Sequence, residues 1–303
     1  MASEMALRDA PDQKPSNGRA SKSPTQLAIR RFMHNKLAVA SMLVLALIVL
    51  ACLGAPLLTH WGPVQLDFNN TMAPPSAQHI LGTNGEGADY FAMDLYGGRV
   101  DLLIGLVGTV LILTIAIILG GLAGYYGGWV DNIIMRICDV MLNFPFLLLI
   151  IVISSILQHT NVWLLIAVIS ATGWPSVTRF VRGLFLSMRE SEFVLGAKIA
   201  GAGTWRIILK HLLPNAIGPL IVNATFLVAN LIGAEAALSI VGFGVQPPQP
   251  SWGDVLAGAD DFITMQTQPW AWLPPALAIS VTILCISFIG DGLRDAFDPS
   301  FEK

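Results

Sequence analysis

Glu235, in the run LIGAEAALSIVGFG, is the carboxylate whose setting most invites a chemical question, because apolar sequence surrounds it on both sides. A carboxylate at mid-bilayer costs roughly 2.5–3.5 kcal/mol on insertion scales, so it has to face protein or water. Two roles meet that demand: a group lining or gating a polar pathway, and a structural partner for a polar group on a neighbouring helix. It is the one acid inside an expected span. Elsewhere the chemistry is sparse. His34, His60, His79, His159 and His211 share no metal-ligand spacing with one another or with acids. Cys52, Cys138 and Cys285 form no CxxC pair and read as small core residues. The run GGLAGYYGG at 120–128 lacks the Lys and Ser of a phosphate loop. Its Gly120, Gly124 and Gly128 instead fall every four residues, the spacing that lets membrane helices approach closely. The expectation is a chain with no catalytic site, no metal site and no cofactor of its own.

The elements that must position Glu235 follow from hydropathy. Hydrophobic residues make up 54% of the chain and charged residues only 12%, against about 25% charged in soluble domains. That balance points to an integral membrane protein, all-α, since a span needs roughly 20 mainly apolar residues. Six such spans are expected, at about 37–58, 102–124, 141–157, 162–180, 217–243 and 273–289. The fourth carries Gly173 and Pro175, which should interrupt it. Residues 1–35 read as a polar cytosolic tail, disordered because Ser, Pro, Lys and Asp dominate its first part without periodicity. The first apolar run follows 36 mostly polar residues and exceeds the 7–15-residue core of a signal peptide, so a span rather than a cleaved leader is expected.

Lys and Arg set the orientation, because retained loops hold the excess of positive charge. With both termini cytoplasmic, Arg99 is the only one of the 17 Lys and Arg residues to fall outside. Two outer segments are then candidate docking surfaces for an extracellular protein. One is 59–101, where Asp67, Glu86, Asp89, Asp94 and Asp101 against Arg99 leave a net charge of −4. The other is 246–270, without Lys or Arg, bearing Asp254, Asp260 and Asp261, stiffened by Pro247, Pro248 and Pro250. Its Trp252 and Trp270 are also candidates for interfacial anchors.

The remaining wet stretch is RESEFVLGAKIAGAGTWRIILKHLLPNA at 189–216, which this topology puts in a cytoplasmic loop of about 182–216. Trp205, Ile208, Leu209 and Leu212 recur at i, i+3, i+4 and i+7, one apolar helical face. Gly201 and Gly203 should break the chain before it, and Pro214 can start the next helix. Two short helices joined at a glycine turn would form a lever feeding span five; an amphipathic helix resting on lipid is the alternative.

The same residues resemble the coupling loop of ATP-binding-cassette importer permeases, whose pattern is Glu-Ala-Ala, three residues, Gly, nine residues, Ile, one residue, Leu-Pro. Ala197, Gly201, Leu213 and Pro214 match; Leu195 and Gly196 replace the first two pattern residues, and His211 stands at the isoleucine. GYYGGWVD at 124–131, NFP at 143–145, VRG at 181–183, GVQPPQPSWG at 244–253 and GDGLRDAFDP at 290–299 extend the likeness to the dipeptide and oligopeptide branch, the shorter permease of each pair. HILGT at 79–83 fits too, although NGEGADYF after it departs from the branch. The resemblance implies the type I importer fold in the cell membrane over residues 36–303. It also implies a second, homologous permease, two cytosolic ATP-binding subunits that hold ATP and magnesium, and an extracellular binding protein, with lipid around the bundle and no nucleic acid. Ala197, Gly201, Ala202, Trp205, Leu213 and Pro214 would contact or position the ATPase contact, and Glu235 would be the candidate gate. Peptides are the implied cargo; nickel or another small solute uses related permeases, and an ion-coupled secondary transporter is the rival outside the family.

Overall fold

The computed structural model describes residues 24–157, 161–259 and 261–297. The expected tail over 1–23, His159, Asp260 and the end of GDGLRDAFDP lie outside the described residues. Within them the chain is helical, with isolated bridges Leu66–Ala88 and Thr83–Asp89 in one loop. Five helices are long and apolar enough to cross a membrane, and one helix pair bent by 80° brings the number to six where it is counted as a single span.

In chain order the elements are α1 (Pro24–His34), α2 (Lys36–Leu53), α3 (Ala55–Leu58), α4 (Tyr90–Tyr126), the bent pair α5 (Gly128–Leu142) and α6 (Phe146–Leu157), and α7 (Val162–Met188). Then come α8 (Glu192–Ile199), α9 (Thr204–Ile207), a π-helical turn over Ile208–Leu212, α10 (Leu213–Ile240), α11 (Trp252–Ala257), α12 (Phe262–Thr267) and α13 (Pro269–Phe297). Bulky apolar residues such as Leu47, Leu50 and Leu106 are more than 60% exposed on the bundle's flanks. A lipid-facing surface explains them, since lipid tails are as apolar as leucine.

Several boundaries differ from the sequence expectation, each for a physical reason. The tail expected over 1–35 includes a helix, α1, which lies against α13 through Phe32 and Gly292. The second span begins at Tyr90 rather than 102, because Asp89 caps it: its carboxylate accepts the Ala92 N–H at 2.7 Å. At 37 residues α4 would run about 55 Å at 1.5 Å per residue, well beyond a hydrocarbon core of about 30 Å. The span expected over 141–157 is the second arm of an elbow, bent by 80° between α5 and α6. Pro145 stands at that corner, where its missing N–H stops the ladder. Pro175, by contrast, does not interrupt α7, and Pro274 and Pro275 sit inside α13, which begins at Pro269 rather than 273. Neighbouring helices re-satisfy such freed groups in membrane bundles.

The long helix α4 is the spine. Near its end, a Cβ on Gly120 would come within 2.6 Å of Thr178 O, and one on Gly124 within 2.7 Å of Phe185 Cβ. The four-residue spacing is therefore a packing groove for α7 at those two positions, whereas Gly128 meets nothing and instead holds φ +57°. Arg182 forms a bidentate ion pair with Asp131, and Arg179 pairs with Asp139, so two charge contacts tie α7 to α5. Nearer the start of α4, Gly98 admits the Trp252 indole edge and Cys52 Sγ, each 2.5 Å from where its Cβ would lie.

Candidate functional site

The predicted residues gather at two ends of one rod. At the first end, α8 closes on Ala200 and Gly201. Gly201 has φ +77°, the left-handed region open to glycine. Ala202 N–H donates to Ala197 O and Gly201 N–H to Lys198 O, both at 3.0 Å. That is the Schellman closure of a helix C-terminus, in which the residue after the glycine packs on the residue three before the cap. Ala197 and Ala202 are that apolar couple, and both lie against the main core. The matched alanine and glycine are thus the two halves of one turn.

After the turn the chain enters α9 and the π-turn. Trp205 and Leu209 are exposed, while Ile207, Ile208 and Leu212 are buried. The expected single face of Trp205, Ile208, Leu209 and Leu212 is therefore split. A π-turn carries more residues per turn than an α-helix, which rotates Leu212 back beside Ile207 and Ile208. Its cause stands two residues on. Pro214 has no N–H, and its ring would crowd the carbonyl four residues before it; widening the turn relieves both, and Leu213 N–H instead donates to Ile208 O. Pro214 consequently does not start a separate helix: Thr204–Ile240 is one continuous rod.

Around the turn, Phe193, Leu195, Ile199, Trp205 and Leu209 are all exposed, with Ile199 at 89%. Lys198 Nζ sits 5.5 Å from the centre of the Tyr125 ring, holding α8 against the end of α4. The result is a firmly tied elbow with an apolar outer surface.

Glu235 lies about 33 Å further along the rod from Leu213, at 1.5 Å per residue. It is fully buried, and Ser239 Oγ and Ser251 Oγ each donate to its Oε1 at 2.8 Å. It is also not the only acid within the bundle. Asp101, expected in an outer loop, is fully buried on α4 and accepts the Trp252 N–H at 2.8 Å, next in the chain to the Ser251 that donates to Glu235. Trp252 is 2% exposed and donates from Nε1 to Asp94 O at 2.8 Å, so it is a wedge within the protein rather than an interfacial anchor. Asp101 escapes sequence reasoning because the apolar run of the second span reads as beginning at 102, one residue after it. The signal that could have found it is the apolar run of α4 continuing upstream.

The loop over 59–89 folds back as a cap on this end. His79, for which sequence spacing showed no acid partner, lies 2.8 Å from Asp89 and 3.5 Å from Asp67 and stacks on Trp61 at 4.6 Å. Among the described residues no three His, Cys, Asp or Glu groups are arranged to hold a metal ion. Arg99 donates to Cys52 O and Leu53 O at 2.5 and 2.8 Å, a cation at the C-terminus of α2. Asp254 on α11 has its carboxyl pushed up to about 6 by burial, with the charges of Glu235 and Glu86 adding to it. Between the two ends, Met141, Phe144 and Phe146 from the α5–α6 bend, with Ser176, Asn230 and Ala234, line a mainly apolar groove of about 660 Å³. Glu235 does not line that groove.

Comparison with known proteins places this geometry in context. Residues 116–303 match the family model for the inner membrane component of binding-protein-dependent transport systems, and residues 23–75 that for the N-terminal transmembrane domain of oligopeptide transport permease C. A putative peptide permease protein of Brucella suis biovar 1 is 38% identical over 283 residues, 93% of both chains. The dipeptide transport system permease protein DppC of Alkalihalophilus pseudofirmus is 39% identical over 93% of this chain and 91% of its own. The oligopeptide transport system permease protein OppC of Mycobacterium tuberculosis is 38% identical over 90% of this chain and 94% of its own.

Proposed function

This chain belongs to the family of inner-membrane components of binding-protein-dependent transport systems, and from that premise we propose that it is the permease subunit of a peptide importer driven by ATP hydrolysis on separate subunits. Similarity to dipeptide and oligopeptide permeases over nine-tenths of the chain supports the cargo class. The observation that carries the mechanism is the continuity of the rod. The elbow at Gly201 presents exposed Ile199, Trp205 and Leu209, and from Trp205 onward no break in the helix intervenes before Glu235 at the other end. A push on the apolar elbow by a cytosolic ATPase would be transmitted along a stiff helix instead of being absorbed in a hinge.

In this reading a second, homologous permease covers the groove beside the α5–α6 bend, and the two chains enclose the route. Its lining of aromatic and aliphatic side chains with few polar groups would tolerate peptide side chains of many kinds. The cap end, with its acidic loops, would receive the extracellular binding protein, and both termini would be cytoplasmic. ATP and magnesium would be held by the two ATPase subunits.

The test is reconstitution of this chain with its second permease and candidate ATPases in liposomes loaded with ATP. Uptake of a labelled peptide delivered by the binding protein should require ATP and all membrane subunits. Uptake that persists without the ATPases, or follows an imposed ion gradient, would overturn the proposal.

A further inference from the structure

Helix α1 divides its side chains among three faces. Ala28 and Phe32, four apart, turn inward: Ala28 is buried, and the Phe32 ring lies 3.3 Å from where a Cβ on Gly292 of α13 would stand. Ile29 and Met33, one residue on and so about 100° further round the helix, are 64% and 55% exposed. Arg30 and His34, another step round, are exposed as well. Asn35 then breaks the chain and caps α2, its side chain accepting the Ala38 N–H at 3.1 Å. Ala38 Cβ lies 2.5 Å from the same point on Gly292 that Phe32 approaches. Helix α1 is therefore folded over the end of α13 and does not stand away from the bundle.

The length of α2 places this fold relative to lipid. Its 18 residues measure about 27 Å, close to the roughly 30 Å of a hydrocarbon core, so Lys36 at its start marks one edge of the bilayer. Helix α1 lies at that edge, level with the headgroups. Its apolar outer face leads directly into the lipid-facing flank of α2, which starts at Leu37, four residues beyond Met33 and 54% exposed. On the basic side, Leu27, Arg30, Arg31 and His34, with Asn35 and Asp295 of α13, enclose a space of about 480 Å³. Two arginines there face a single acid, Lys36 is exposed at the joint, and the Arg30 guanidinium has no acceptor among the described residues.

We propose that α1 is an interfacial anchor for anionic phospholipid. Ile29 and Met33 enter the acyl boundary, and Arg30, with Lys36 at the head of α2, holds the phosphodiester headgroup. Lipid fits all three faces at once. The inward face is filled by α13, the apolar face needs an apolar neighbour at the level of the bilayer edge, and the cationic face needs anions beside it. A protein partner docked on Ile29 and Met33 would have to cover a surface continuous with lipid-exposed α2. Because Phe32 packs on Gly292, the docked helix also steadies the end of α13. The inference depends on α2 crossing a membrane and on no step of transport.

The photoreactive residue p-benzoylphenylalanine, which bonds to whatever C–H group lies against it, tests both halves. The full chain is reconstituted with its partner subunits in nanodiscs of equal parts phosphatidylcholine and phosphatidylglycerol. At Ile29 the probe should form lipid adducts, as it should at Leu47 of α2, 67% exposed and the reference for acyl contact. At Leu27, beside the pocket, it should capture phosphatidylglycerol over phosphatidylcholine by about fivefold or more, the preference conferred by one Lys or Arg near an anionic surface. That preference should fall severalfold, toward parity, when Arg30→Gln and Lys36→Gln are combined, both side chains being exposed. A protein adduct at Ile29, or no adduct there while Leu47 yields one, would overturn the docking in lipid. Equal capture of the two lipids at Leu27 in the wild type, or a preference unchanged in the double variant, would overturn the anionic headgroup site. No uptake is measured, so either failure leaves the importer reading untouched.

Discussion

Replacing Gly201 by Val isolates the backbone contribution to the elbow more cleanly than any other change in this chain. The site has φ +77°, and a Cβ there would meet nothing within 4 Å. No neighbour is displaced, so the cost is that of holding an L-residue in left-handed backbone, roughly 1–2 kcal/mol and more for a branched side chain. A penalty of that size changes the ratio of formed to unravelled turn by about 5- to 30-fold. The turn is fastened by two hydrogen bonds, Ala202 N to Ala197 O and Gly201 N to Lys198 O. Near a wet surface, water can replace both, so unravelling is the expected response and the bundle itself should remain intact. The assay is peptide-stimulated ATP hydrolysis by the reconstituted complex, normalised to the amount of chain in the membrane. Gly201→Val should assemble normally and lose most of the stimulation. Two companions sharpen the inference. Gly203 also has open space around it but φ −67°, so Gly203→Ala should behave as wild type. Gly201→Asn should fall between, since Asn tolerates the left-handed region better than a branched residue. If Val matches the wild type, or if Gly203→Ala is equally defective, the reasoning fails.

Three further outcomes follow from the structure. An impermeant thiol reagent added outside whole cells should label Gly258→Cys but not Gly203→Cys, both exposed positions in the structure; the reverse pattern would invert the topology. Gly124→Ala should lower the melting temperature by several degrees, since its methyl would lie 2.7 Å from Phe185 Cβ and 2.8 Å from Arg182 O, an overpacking cost of about 1–3 kcal/mol. Gly183→Ala, with nothing within 4 Å, serves as the control that should not move, and equal losses would remove the groove argument. Asp254 has its folded carboxyl raised to about 6, above an ordinary value of about 3.9, so its protonated form favours the folded state. Its contribution is present below about pH 4 and fades as pH rises through about 6. Stability of the wild type should therefore drop across that window relative to Asp254→Asn, and parallel curves would refute the role of burial at this site.

The residues alone determined the class of protein and most of its local punctuation. Hydropathy marks where the spans lie, because a bilayer selects for apolar side chains whatever the tertiary arrangement. The glycine at 201 is legible as a break between two short helices, and Ala197 through the likeness to the permease coupling loop. What hydropathy misses is any position whose setting depends on a distant segment. Asp101 sits just before the second long apolar run and reads as part of an outer segment, yet Trp252, far along the chain, closes over it. Trp252 looks like an interfacial aromatic until Gly98 is seen to open a space for its indole. Pro145 and Pro175 are indistinguishable to a propensity rule, but the first marks an 80° bend and the second lies in an unbroken helix. The neighbours of a proline decide whether its freed carbonyl is satisfied, and those neighbours are supplied by packing. Likewise the π-turn before Pro214 moves Leu212 off the face of Trp205, a change of register that only the backbone's own hydrogen bonding can set. A period of 3.6 residues can be read along a chain; the closing of Trp252 over Asp101 exists only once the helices have packed.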